Sequence, residues 1–159
     1  MTPLSHVASA APLFAGLLFA TVEDLRARRV GNWLNAAIAL AGLSMWTLGA
    51  GGRGLLLSAG GLVACLAIGL LPFAKGWLGA GDVKLLAAVG TWVGLPLVPM
   101  LLLLTAVAGG VVSLGTLAYA RRSSIRQFGE PTTRPKAAQV PYALAIAAGA
   151  TLTVLMGGT

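Results

Sequence analysis

Apolar stretches separated by short clusters of charge, glycine and proline run through the whole chain. The first, Leu4 to Val22, gives way to "EDLRARR", and the second, Trp33 to Leu48, gives way to "GAGGRG". Further apolar runs cover Leu55 to Phe73, Asp82 to Gly94, Leu97 to Tyr119 and Ala138 to Met156. Several approach or exceed the roughly 20 residues with which a helix crosses about 30 Å of hydrocarbon. The pattern predicts an all-α, polytopic membrane protein of about six transmembrane helices, with residues 1–159 forming a single membrane-embedded domain. No Lys or Arg precedes the first run and more membrane follows it, so it reads as a retained span and not as a signal peptide.

Composition agrees with that solvent. Hydrophobic residues make up 57% of the chain and charged residues 9%, with a mean hydropathy of +0.88. A soluble domain carries about 25% charged residues to cover its surface. The single cysteine, Cys65, lies within an apolar run and reads as a small buried hydrophobe. It offers neither a disulfide nor a metal site.

The net charge of +7 is unevenly placed. With six crossings, one side holds Arg26, Arg28, Arg29, Lys75, Lys84, Arg121, Arg122, Arg126, Arg134 and Lys136, while the other holds only Arg53. The positive-inside bias puts the basic loops in the cytoplasm and both termini outside. Anionic lipid headgroups account for these charges, and no aromatic-interleaved surface for nucleic acid is present. Trp33, Trp77 and Trp92 fall near helix ends, as an interfacial belt would place them.

Against this background the acidic residues stand out: Glu23, Asp24, Asp82 and Glu130. Glu130 lies in the polar loop "RQFGEPTTRPK". Two predicted crossings separate Asp24 from Asp82, so the chain returns them to the same membrane face. Asp82 sits in "GAGDVK", residues 79–84, where an aspartate opening a helix is ordinarily an N-cap. The helix it opens has about 13 residues, roughly 20 Å, which is short for a span and would draw Asp82 inside the membrane boundary if its outer end reaches the interface. The alternative is one longer helix kinked at Pro96 and Pro99, which weakens the case for that depth. An ionisable group there is a functional candidate. Gly79 and Gly81 permit a positive φ and the close approach of another segment or an extended substrate, and small residues also pack membrane helices.

Two carboxylates brought together suit acid/base chemistry, because like charges a few Å apart cannot both ionise easily and the pair titrates as a unit. The ionised member can take a proton from water that attacks a peptide carbonyl, while the protonated member donates to the carbonyl oxygen. Such hydrolysis needs no cofactor and no metal. The chain has one His and one Cys and lacks HExxH and nucleophile-elbow patterns.

"DLRARRVGN" at 24–32 and "GAGDVKLLAAVGTW" at 79–92 resemble the two catalytic motifs of the prepilin peptidases, which are GxGD membrane aspartyl proteases. "VPYALAIAAGA" at 140–150 is similar to that family's last helix. The resemblance implies an enzyme that cuts the leader from type IV prepilins at the cytoplasmic face of the bacterial inner membrane, with pilus or secretion machinery as a possible further partner. It assigns Asp24 and Asp82 as the catalytic pair, with Gly79, Gly81, Lys84 and Asn32 as supporting motif residues, and leaves Glu23 outside the dyad. Lys84 either lowers the proton affinity of Asp82 or snorkels to headgroups.

The first motif departs from the family's usual Ile or Val, Pro, Asn by carrying Val30, Gly31, Asn32. Glycine keeps a turn there without the fixed φ of proline. The paired Cys-x-x-C motifs of long, bifunctional members are missing, and the chain resembles the short, peptidase-only Flp or Tad-type members, with no methyltransferase or zinc-binding domain expected. Other readings of the two acids are a small proton-coupled transporter and a non-catalytic pilus-assembly scaffold. Neither explains the Gly-x-Gly before Asp82 or the Asp-to-Asn spacing.

Overall fold

A computed structural model describes residues 10–27, 31–126 and 142–157. Among these residues the fold is all-α, with four helices: α1 (Ala11–Ala27), α2 (Asn32–Ala74), α3 (Ala80–Arg126) and α4 (Tyr142–Gly157). The predicted beginnings of the first and last helices, Leu4 and Ala138, lie outside the described residues. So do His6, Arg28, Arg29, Glu130, Arg134, Lys136, Val140 and Pro141.

Four helices therefore stand where about six were expected. Two of them are too long to be single rods. At 1.5 Å per residue, the 43 residues of α2 and the 47 of α3 would extend about 65 and 70 Å, roughly twice the thickness of a bilayer core. Each is broken by non-helical backbone, α2 at Ala50 and Gly51 and α3 at Gly94. Gly51 has φ 58° and Gly94 φ 69°, a region that glycine enters without steric cost. Pro96 follows in the first turn after the α3 break, where its missing N–H would have no intrahelical partner.

The α2 break folds that helix back on itself. A side chain at Gly54 would run into the Trp46 carbonyl, and Gly42 and Gly61, on opposite sides of the break, both lie against residues 90–94 of α3. Glycine here lets backbones touch, as Gly61 does against the Gly90 carbonyl. The second half of α3 runs antiparallel to α4, with Leu97 against Gly157 and Thr105 against Gly149.

Residues 85–91 of α3, all buried, are the centre of the bundle, which explains why this stretch is apolar on nearly every side. Leu85, Val89 and Val93 share one buried cluster with Leu13 and Leu17 of α1, Ile38 and Cys65 of α2, and Ile146 and Ala150 of α4. Polar side chains lace the helices together across this core. Trp92 Nε1 donates to the Ile38 carbonyl and Trp46 Nε1 to the Trp92 carbonyl, both at 2.8 Å. Ser58 Oγ donates to the Thr91 carbonyl at 2.7 Å. Trp92 is thus a half-buried strut, not a member of an interfacial belt. Trp33 and Trp77 do lie on the outside, 64% and 66% exposed.

Outside the core the surface is apolar. In the most hydrophobic windows of α2 and α3, both of mean hydropathy 2.3, only 28% and 17% of residues are buried. A core helix of a soluble protein would be covered, whereas these faces need lipid.

Candidate active site

Asp24 belongs to α1 itself. The sequence pattern ends the first helix at Val22, but α1 continues through Ala27 and carries Glu23 and Asp24 in its last turns. "EDLRA" contains no glycine or proline and four of its five residues, Glu23, Leu25, Arg26 and Ala27, are good helix formers, so charge alone does not stop the helix. Both acids are half-buried. Glu23 has a structural partner: its Oε2 accepts a 3.1 Å hydrogen bond from the Gly31 N–H.

Gly31 is the N-cap of α2, with φ −62° and ψ 135°. This is the φ that proline would impose, so the glycine takes the extended shape expected of the family's usual residue. In addition it keeps an N–H, which it gives to Glu23. Asn32 then opens α2 on the exposed side.

The turn between α2 and α3 leads to Asp82. Gly76, at φ 71°, closes α2: its N–H donates to the Phe73 carbonyl and the Trp77 N–H to the Pro72 carbonyl, both at 2.9 Å, forming a Schellman motif. Lys75 Nζ lies 4.9 Å from the Trp77 ring centroid over this exposed turn. The left-handed residue is therefore Gly76, whereas neither Gly79 nor Gly81 has a positive φ.

Nor is Asp82 the N-cap. Gly79 holds that position, since its carbonyl accepts the first helical bond from Val83 N–H at 3.1 Å. Asp82 lies three residues inside, and its Oδ2 reaches back to accept the Gly79 N–H at 3.3 Å. This is the acidic half of a capping box, with a glycine in place of the Ser or Thr. A Cβ on Gly79 would lie 2.9 Å from that carboxylate oxygen. The absence of a side chain at Gly79 thus leaves room for the carboxylate.

The two motif segments meet in space. Asp24 and Asp82 lie within electrostatic reach of each other, one in the last turns of α1 and the other in the first turn of α3. Lys84 Nζ donates to Asn32 Oδ1 at 2.9 Å, joining the two segments by a second contact. A residue that the motifs do not include also joins them. Asn35, 5% exposed, directs Nδ2 to the Gly81 carbonyl at 3.5 Å, and its Oδ1 has no hydrogen-bond partner among the described residues. Its signal in the sequence is an amide within an apolar run, where a polar group has a reason to be. Among the described residues no group of three or more His, Cys, Asp or Glu could hold a metal ion.

This arrangement can move protons. Two carboxylates lie within electrostatic reach at the helix ends, with the exposed Lys84 ammonium two residues from Asp82 and glycine backbone beside that acid. Comparison with known proteins agrees with the motifs. A family model, the type IV leader peptidase family, matches residues 11–114. A prepilin leader peptidase/N-methyltransferase of Burkholderia pseudomallei strain 1026b is 30% identical over 161 residues, covering 98% of this chain and 48% of the relative. The protein of the same description from strain K96243 matches equally. The chain thus spans about half the length of these curated relatives. No solved structure gives a significant match. With both aspartate segments inside the matched region, and nearly the whole chain aligned to those relatives, this protein belongs to the type IV leader peptidase family.

Proposed function

We propose that the chain is a membrane aspartic endopeptidase that removes the leader peptide of type IV, Flp-like prepilins at the cytoplasmic face of a bacterial plasma membrane. Asp24 and Asp82 are its catalytic pair. The observation that carries this reading is that the two motif segments are joined in space, Lys84 Nζ donating to Asn32 Oδ1 and Asn35 Nδ2 to the Gly81 carbonyl, with Asp24 and Asp82 within electrostatic reach of each other across 58 positions. Family membership supports the substrate class.

In this mechanism the ionised aspartate takes a proton from water as the water oxygen bonds to the scissile carbonyl carbon. The other aspartate gives its proton to the carbonyl oxygen, and a neutral tetrahedral diol forms. As the C–N bond breaks, one diol hydroxyl returns its proton to the second carboxylate and the first acid protonates the leaving nitrogen. The pair ends in its starting protonation state. Gly79 and Gly81 keep the backbone beside Asp82 open to an extended substrate, while Asn32 and Lys84 hold the two motif segments together.

Six membrane crossings are part of the proposal, supported by the breaks at Ala50–Gly51 and Gly94, which divide the two long helices near the predicted loop positions. Both termini then lie outside and the aspartates at the cytoplasmic side, in keeping with the distribution of basic residues.

Co-expression with a prepilin, followed by mass measurement of the pilin N-terminus, tests the reading. Asp24→Asn and Asp82→Asn each lower cleavage by about a thousandfold or more, and the double variant is no worse than either, because the pair acts as a unit. Near wild-type cleavage by either single variant rules out the dyad. An inert wild-type protein, tested against its matched prepilin, rules out the peptidase reading itself.

A further inference from the structure

A cavity of about 300 Å³ opens beside the second motif, on the side of α3 that carries Lys84. Its walls are apolar, with Ala36 from the first half of α2 and Leu62 and Leu66 from the second half. Its polar lining residues are Asn32, Asn35 and Lys84. The cavity thus combines an apolar interior with hydrogen-bonding groups from both motif segments. Such a site fits a peptide better than an all-apolar ligand.

Asn35 supplies the second observation. An amide 95% buried, with an oxygen that accepts nothing among the described residues, carries a desolvation cost that calls for a donor. Its other hydrogen bond, Nδ2 to the Gly81 carbonyl, is long at 3.5 Å. The terminal torsion of asparagine is soft and Asn35 lines the cavity, so the amide can turn towards a bound donor at the expense of that long bond. A backbone N–H of an extended chain is a donor of the right kind, and the Lys84 ammonium can take a neighbouring carbonyl.

We propose that this cavity seats one apolar side chain of the extended substrate, while Asn35 Oδ1 accepts a substrate N–H and Lys84 receives a substrate carbonyl. The inference rests on the peptidase reading. It makes Asn35 a substrate-positioning residue and makes the α2 walls a determinant of side-chain size at one position close to the scissile bond.

The test is a matrix of enzyme and substrate sizes in proteoliposomes. Wild type, Ala36→Phe and Leu66→Ala are assayed against a prepilin panel in which each residue around the cleavage point is in turn Ala, Leu or Phe. Filling the cavity with Ala36→Phe lowers kcat/KM by about tenfold or more for Leu or Phe at a single substrate position, and Ala at that position restores it. Leu66→Ala shifts the preference at the same position towards Phe. Asn35→Ala raises KM by about tenfold with kcat within about twofold of wild type, as loss of uniform binding does. The proposal is overturned if every variant slows all substrates equally, if Asn35→Ala changes kcat alone, or if the variants alter only the response to lipid acyl-chain length, which would make the occupant a lipid. Because wild type is measured on the same panel, a protein that cleaves nothing speaks against the peptidase reading and not against the cavity.

Discussion

Lys84 Nζ donates to Asn32 Oδ1 at 2.9 Å, across 52 residues of sequence. The contact holds the start of α2 to the first turns of α3, which carry Asp82. It also uses the ammonium for positioning, so that Lys84 has a partner besides solvent and headgroups.

Removing this tie should therefore cost activity before stability. Both side chains are exposed, and an exposed contact of this kind contributes little to folding. Lys84→Met and Asn32→Ala are each expected to slow prepilin processing by about threefold to tenfold, and the double variant to be no slower than the worse single one. A double-mutant cycle on the processing rate checks this. Strictly multiplicative effects would mean that the two residues act independently.

Glu23 and Gly31 form a second pair whose role is structural. Glu23→Gln keeps an oxygen for the Gly31 N–H and is expected to process prepilin at near the wild-type rate, whereas Glu23→Ala loses about 1 kcal/mol of stability. Gly31→Pro suits the observed φ of −62° but removes the N–H and brings a Cβ to 2.9 Å from Trp33 Nε1, an exposed ring that must shift, so a net loss of about 1 kcal/mol is expected. In the Gly31→Pro background, Glu23→Ala should add no further loss. Thermal unfolding in detergent distinguishes these cases.

Gly79 is predicted to be more sensitive than its exposure suggests. A methyl group there would lie 2.9 Å from Asp82 Oδ2, so Gly79→Ala displaces the carboxylate while leaving the helix intact. Processing should fall by about tenfold to a hundredfold, with the unfolding temperature nearly unchanged. Wild-type turnover by this variant would show that the carboxylate position tolerates the shift. Gly81→Val is expected to block substrate approach and leave the protein folded, which normal processing would refute.

Gly61 provides the contrast. Its Cβ would collide with the Gly90 carbonyl in the centre of the bundle, where backbone cannot move aside. Gly61→Val is expected to destabilise the whole protein by about 1–3 kcal/mol or more and to lower its amount in the membrane. Folding and activity should be lost together, unlike the result for Gly79→Ala.

Topology can be read with reporter fusions. A reporter after Arg122 is expected to behave as cytoplasmic, and one after Gly51 or at Thr159 as external. A cytoplasmic signal from Thr159 would mean an odd number of crossings. A cytoplasmic signal after Gly51 would mean that the α2 break does not reach the far side.

Much of the protein follows from local sequence. Apolar run length and scarcity of charge determine an all-α chain whose outer faces need lipid, and the glycines of "GAGGRG" and "TWVGLP" mark where the long helices break. These are properties of ten to twenty consecutive residues, so they can be read without knowing what packs where. The two motif aspartates are likewise evident as rare acids beside apolar runs.

Packing decided the rest. The assignment of Asp82 as third residue and Gly79 as cap depended on which carbonyl took the first helical bond, and the positive φ fell to Gly76 because the Schellman turn that closes α2 needed it there. Trp92 turned inward because the Ile38 carbonyl, 54 residues away, could accept its N–H. Asn35 became part of the candidate site because α2 and α3 cross where its amide meets Gly81, 46 residues on. A local pattern records propensity and hydrophobicity over a few turns. It carries no information about which distant backbone group will be left unpaired in a low-dielectric bundle, and there the cost of an unmet hydrogen bond governs the choice of partners.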